Sequence, residues 1–82
     1  MNTRLKNGME SLVQCRIQWR GETKLRAYKS SPHVWISAIR QGVNDRVVPD
    51  VHKRGVWWVW KKLSCGTFQH VATIYSLNAD DL

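Results

Sequence analysis

The chain has 82 residues, with 13 Lys and Arg against six Asp and Glu, so its formal net charge is +7. This length allows one small domain, and a hydrophobic fraction of 43% is too high for a disordered polar tail. The longest apolar run, residues 56–60, is too short for a transmembrane helix, and no apolar stretch follows the basic N-terminus as a secretory signal requires. We therefore expect a cytoplasmic protein without a membrane partner.

Periodicity divides the chain into three parts. Residues 1–10 show no period and are expected to form a flexible segment. Residues 11–77 carry the patterns of a single α+β domain. Residues 78–82 are short and acidic, and they are expected to form a disordered tail.

The first two predicted strands follow from a period of two. Apolar and polar residues alternate from Val13 to Trp19, and a weaker alternation places Thr23, Leu25 and Ala27 on one side of a second strand. Both apolar sets have odd numbers, so the connection should have three or five residues or contain a bulge if they share one face. A three-residue loop over positions 20–22 would place Ile17 opposite Leu25.

This predicted register has a consequence for charge. It places Arg16 directly opposite Arg26, and like charges opposite each other destabilise a sheet unless an anion covers them. Four cations and one aromatic residue are then expected on a single face: Arg16, Arg20, Lys24, Arg26 and Tyr28. The alternative is that these long side chains extend into water without any partner.

A short helix is predicted from Pro32 towards Gly42. Ser31 is a typical N-cap, Pro32 suits the first helical position, and Gly42 suits a left-handed residue after the helix end. The spacing of Trp35, Ala38 and Ile39 predicts one apolar stripe. A strand through residues 34–39 is the alternative, because β-branched residues are frequent there.

Residues 44–55 have the composition of a loop, in which three valines (Val47, Val48 and Val51) could dock a short extended piece. The following segment predicts a hairpin around a two-residue turn at Cys65-Gly66. If Ser64 pairs with Thr67, one face carries the pairs Val59–Ala72, Trp57–Ile74, Leu63–Phe68 and Lys61–His70. The other face carries Trp58, Trp60, Lys62, Gln69 and Tyr75.

Together these elements predict a small α+β domain in the order ββαββ, with one antiparallel sheet and one short helix packed on one face. Cys15 and Cys65 are fifty positions apart and are expected to be buried thiols rather than a disulfide. The three histidines have no metal-ligand spacing with each other or with the cysteines, so no metal or other cofactor is expected.

The charge pattern indicates a polyanionic partner. Without the last three residues, 13 cations face four carboxylates, a net +9 that attracts phosphate chains. We therefore predict a non-enzymatic protein that binds RNA or single-stranded nucleic acid, of the kind found as microbial or phage accessory proteins. The candidate contacts are Arg16, Arg20, Lys24, Arg26, Tyr28, Trp58, Trp60 and Lys62.

Two other functions stay open. The Trp-rich strand could lie in the core or form a protein interface, as in a homodimer or an inhibitor that binds an acidic protein surface. A small basic ribonuclease is the third possibility, with His70 beside Lys61, or His33 at the helix start, as the catalytic base.

Overall fold

A computed structural model describes residues 12–77 as a five-stranded antiparallel sheet with one helix, in the strand order β2-β1-β5-β4-β3. The elements are β1 (Cys15–Trp19), β2 (Arg26–Tyr28), α1 (Pro32–Ile39), β3 (Asp45–Pro49), β4 (Val56–Lys62) and β5 (Phe68–Ser76). The predicted α+β class, with one antiparallel sheet and one short helix, is confirmed. The expected N-terminal segment 1–10 and tail 78–82 lie outside the described residues.

The sheet has five strands rather than the predicted four because β3 forms where a loop was expected. Val47 is 6% exposed and pairs with Val59, so one buried apolar side chain holds this short strand. Turn-forming residues surround it, which hides the alternation in the sequence. Pro49 has no backbone N–H to donate, and it is tolerated because β3 is an edge strand. The N–H of the next residue, Asp50, donates to the carbonyl of Val56 at the start of β4, so the nitrogen of Pro49 points away from the sheet, where no donor is needed.

Helix α1 crosses one face of the sheet and links the two edge strands, β2 and β3. Ser31 is the N-cap residue as predicted, but its hydroxyl makes no capping hydrogen bond. The buried positions are Pro32 and Ile36, whereas Ala38, predicted for the apolar stripe, is exposed. Gly42 was wrongly predicted as left-handed, since among the described residues only Gly21, Gly55 and Gly66 have positive φ.

The predicted register of the first hairpin was wrong by one residue. Ile17 lies opposite Arg26 and Arg16 lies opposite Ala27, so the two arginines do not face each other. The chain turns immediately after β1, where Gly21 has φ 84° and Glu22 donates to the carbonyl of Trp19, and a longer connection follows. The one-residue slip exchanges the two faces of β2.

The second hairpin confirms half of its predicted register. Val59 pairs with Ala72 and Trp57 with Ile74, but Trp60 pairs with His70 because a β-bulge follows Val59. Beyond the bulge, Lys61 faces Gln69 and Lys62 faces Phe68, so the predicted pairs there were wrong.

The turn explains this shift. Gly66 has φ 93° and Cys65 does not have a positive φ, so the loop contains three residues, 64–66, closed by a bond from Leu63 to Thr67. Three-residue loops of this kind shift the pairing by one position relative to a two-residue turn. The bulge in β5 restores the original register further along the hairpin.

The core lies between α1 and the sheet. Its buried apolar residues come from the helix and from four strands: Cys15, Ile17, Ile36, Val47, Val59, Ala72 and Ile74. Cys15 is buried as expected, but Cys65 is exposed in the β4–β5 turn, contrary to the prediction. Within residues 12–77, no helix is both long and apolar enough to cross a membrane.

Candidate functional site

One face of the sheet is not covered by the helix, and we call it the open face. Side chains alternate along each strand, so α1 covers Trp19, Tyr28 and Trp57, and the residues of opposite parity point away from it. The open face includes Arg16 and Gln18 on β1, Arg46 and Val48 on β3, Trp58, Trp60 and Lys62 on β4, and Phe68, His70, Thr73 and Tyr75 on β5.

The open face carries large apolar side chains in contact with solvent. Phe68 is 46% exposed, Val48 44% and Tyr75 37%, and the indoles of Trp58 and Trp60 are half-buried. A protein surface seldom keeps this many large apolar side chains together in contact with solvent, so this patch is the candidate functional site.

His70 joins the two indoles of the open face. Its ring centre lies 4.9 Å from that of Trp58 and 5.3 Å from that of Trp60, and its Nε2 is 2.8 Å from the hydroxyl of Thr73. The β-bulge places His70 here, because the extra residue in β5 shifts it opposite Trp60 rather than Lys61. Three rings therefore form one connected aromatic surface.

Arg46 lies beside these rings, at the β3 edge. Its guanidinium carbon is 5.8 Å from the ring centre of Phe68. Its Nη1 donates to the backbone carbonyls of Val43 and Asp45, and both N···O distances are 2.9 Å. A shallow apolar depression is lined by Arg46, Val48, Trp60 and Phe68. The guanidinium is thus held by carbonyls and a ring, which leaves its full charge at the surface.

Asp50 fixes the other side of the aromatic surface. One carboxylate oxygen, Oδ1, accepts the backbone N–H groups of His52 (2.8 Å) and Lys53 (3.0 Å), and Oδ2 accepts the indole N–H of Trp58 (2.8 Å). These hydrogen bonds, led by that from His52, lower the pKa of Asp50 below its ordinary value. The loop after β3 is therefore tied to the ring that packs on His70.

The structure brings together some of the residues predicted to bind nucleic acid. Trp58, Trp60 and Lys62 share the open face, as their alternation predicted, and Arg16 lies on the same face next to Tyr75. Arg20 lies beyond the end of β1, where its Nη1 donates to the backbone carbonyl of His70 at an N···O distance of 3.3 Å.

The predicted face of four cations is not formed. Lys24 lies in the connection before β2, and Arg26 forms an ion pair with Glu22, with 2.9 Å between Nη2 and Oε2. Tyr28 lies on the helix-covered face, where its hydroxyl accepts the indole N–H of Trp19 and its ring packs on Trp35. The cause is the one-residue slip of β2, which moves its even-numbered residues to the helix side.

Of the two arrangements considered for a ribonuclease, His33 at the helix start is present, but His70 beside Lys61 is not. Lys61 faces Gln69 on the helix side of the sheet, so it does not lie beside His70. His33 packs against the ring of Trp57, with 5.5 Å between ring centres. Among residues 12–77, no group of three or more His, Cys, Asp or Glu is arranged to hold a metal ion.

Four residues of the open face and its margin are not among the predicted nucleic-acid contacts: Arg46, Asp50, Phe68 and His70. Arg46 lies in β3 and Asp50 directly follows it, in a segment whose composition predicts a loop. Phe68 and His70 were assigned to the other face because the turn was counted as two residues. One signal was present, since Cys65 is a poor residue for a turn that requires two positive φ angles.

Comparison of the chain with protein-family models, with curated proteins and with solved structures finds no match.

Proposed function

We propose that the protein binds single-stranded nucleic acid, without catalysis, on the open face. The single observation that carries this proposal is the connected aromatic surface of Trp58, His70 and Trp60, half-buried and bordered by Arg46. Every base has a π-face, so such a surface accepts bases by stacking and does so with little dependence on sequence.

The charge distribution supports a phosphate chain as the partner. All Lys and Arg except Arg4 and Lys6 lie in residues 12–77, whereas only three of the six carboxylates do. Of these three, Glu22 pairs with Arg26 and Asp50 accepts hydrogen bonds from its own loop and from Trp58. Arg16, Arg46 and Lys62 can therefore contact phosphates, which releases condensed counterions.

The shape of the site favours a single strand over a duplex. The aromatic surface lies on a sheet, and within residues 12–77 the helix packs on the opposite face rather than projecting from this one to enter a groove. A duplex keeps its base faces stacked internally, whereas an unpaired strand can lay them on exposed rings. We therefore expect weaker binding to a duplex of the same length.

The stacking contribution is tested with two substitutions of Trp60, one that removes the aromatic ring and one that keeps a ring. Binding of a fluorescein-labelled uridine dodecamer is measured by anisotropy at 50 mM salt. Trp60→Leu is expected to lose about 1–3 kcal/mol, roughly 5- to 150-fold in affinity, while Trp60→Phe keeps a ring and loses less. Equal affinity of the Leu variant and the wild type would exclude stacking at this site.

The phosphate contribution is tested with two matched arginines. Arg46 borders the open face, and Arg26 forms its ion pair on the other side of the sheet. Over 50–300 mM salt, log affinity is expected to fall linearly with log salt. Arg46→Gln should reduce the steepness by about 0.7, the value for one phosphate contact in a single strand. Arg26→Gln, the control, should show the same slope as the wild type. If the wild type does not bind the dodecamer at 50 mM salt, the proposal is wrong.

The same experiments separate nucleic-acid binding from the alternative of a protein interface. Phe68 and Val48 expose enough apolar surface to pack against a second copy of the chain. A dimer that forms with rising concentration in sedimentation, with tryptophan emission that acrylamide quenches less in the dimer than in the monomer, would assign the open face to self-association. A monomer with tryptophan emission that acrylamide quenches supports the stacking proposal.

A further inference from the structure

A second shallow depression adjoins the aromatic surface. It is lined by the loop at residues 50–52, by Trp58 and Trp60, and by Val48 of β3. It shares Val48 and Trp60 with the depression that Arg46 lines. Its lining is largely apolar, and Asp50 and His52 are the ionisable residues in it.

The hydrogen bonds of Asp50 show what this carboxylate can still accept. A carboxylate has about four lone-pair positions. Within residues 12–77, Oδ1 accepts two backbone N–H groups and Oδ2 accepts one, from Trp58. By this count, Oδ2 can accept one more hydrogen bond. An ionised carboxylate accepts hydrogen bonds and donates none, so only a ligand with an N–H or O–H group suits it.

We propose that this depression holds one base with an exocyclic amino group, which donates to Oδ2 of Asp50 while the base ring packs on Trp60. This inference rests on the proposed function and adds a base preference to it. Charge complementarity supports the orientation, because the amino group then faces the carboxylate and the phosphate faces Arg46 in the neighbouring depression.

Cytosine and uracil differ at the position that matters. Cytosine carries an amino donor at N4, whereas uracil has a carbonyl oxygen at the same ring position, and Asp is a natural acceptor for the cytosine amino group. The N3–H of uracil lies between two carbonyl oxygens, which would be brought against the carboxylate of Asp50. We therefore expect cytosine to be preferred over uracil at this site.

The test compares cytidine and uridine dodecamers of RNA by anisotropy at pH 7.5 and 100 mM salt. The cytidine dodecamer should bind about tenfold more tightly, as expected for one hydrogen bond to a charged acceptor. Asp50→Asn should reduce this ratio to about twofold or less. The ratio compares two strands on the same variant, so any affinity that both lose because Trp58 is held less firmly cancels. Asp45→Asn, which removes a carboxylate from the helix side of the sheet, is the matched control and should keep the wild-type ratio.

A change in the ligand tests the same contact without altering the protein. A dodecamer of N4,N4-dimethylcytidine lacks both amino hydrogens, and its affinity should fall to that of the uridine dodecamer. This measurement decides the question if Asp50→Asn does not fold. Equal binding of the cytidine and uridine dodecamers to the wild type, or full affinity for the dimethylated strand, overturns the base preference and leaves the proposed function standing. Binding of neither dodecamer overturns both.

Discussion

The indole Nε1 of Trp19 donates a 2.8 Å hydrogen bond to the hydroxyl of Tyr28, across the β1–β2 pair and on the helix-covered face. Trp35 of the helix packs on both rings, with ring centres 5.9 Å from Trp19 and 4.7 Å from Tyr28. This cluster attaches the helix to one end of the sheet. It also removes Tyr28 from the surface on which a ligand would bind.

Tyr28→Phe should therefore affect stability and not binding. The substitution leaves the half-buried indole N–H of Trp19 without its acceptor, so we expect a loss of about 1–2 kcal/mol in the free energy of unfolding. Urea unfolding followed by tryptophan fluorescence measures the loss. The affinity of Tyr28→Phe for the uridine dodecamer should equal that of the wild type. A lower affinity with unchanged stability would show that Tyr28 contacts the ligand, contrary to this prediction.

Gly66 tests the three-residue turn. Its φ of 93° is unfavourable for L-residues, and a Cβ at this position would meet nothing within 4 Å. The effect of Gly66→Ala is therefore one of backbone conformation alone, about 1–2 kcal/mol of destabilisation in urea unfolding. Gly66→Asn should lose less, because Asn tolerates positive φ better than Ala. If Ala is as stable as Gly, the loop does not have this conformation in solution.

The lowered pKa of Asp50 predicts that the free energy of unfolding depends on pH in the acid range. Its pKa in the folded protein is lowered by hydrogen bonds, first from the backbone of His52 and then from Trp58. The unfolded chain therefore binds this proton more readily, and stability falls as the pH decreases from the ordinary carboxyl pKa of about 3.9 through the lower folded value. In urea unfolding between pH 6 and pH 2.5, Asp50→Asn should show a smaller loss than the wild type. Identical slopes would contradict this assignment.

The two thiols should differ in reactivity. Cys65 is exposed, and the side chain and backbone of Thr67 lower the pKa of its thiol, whereas burial raises the pKa of the Cys15 thiol. Iodoacetamide at pH 7.5 should modify one cysteine in the native protein and two in urea, as counted by intact mass. Thr67→Val should slow the native reaction. Rapid modification of native Cys65→Ser would show that Cys15 is accessible.

Alternation of apolar and polar residues was enough to predict the α+β class, the main strands and the shared face of Trp58, Trp60 and Lys62. These properties are local, because a period of two follows from the extended backbone itself. The helix start at Pro32 is local for the same reason, since proline suits the first turn wherever the helix packs.

Only the tertiary structure decided which residues lie opposite each other. A one-residue slip in β2 moved Arg26 and Tyr28 to the helix side, and a bulge in β5 moved His70 between the two indoles. Register depends on which side chains fill the space under the helix, and that packing involves residues far apart in the chain. The composition of the chain therefore determined that cations and aromatic rings would be abundant on this small sheet, while the packing of the core determined which of them face outwards together.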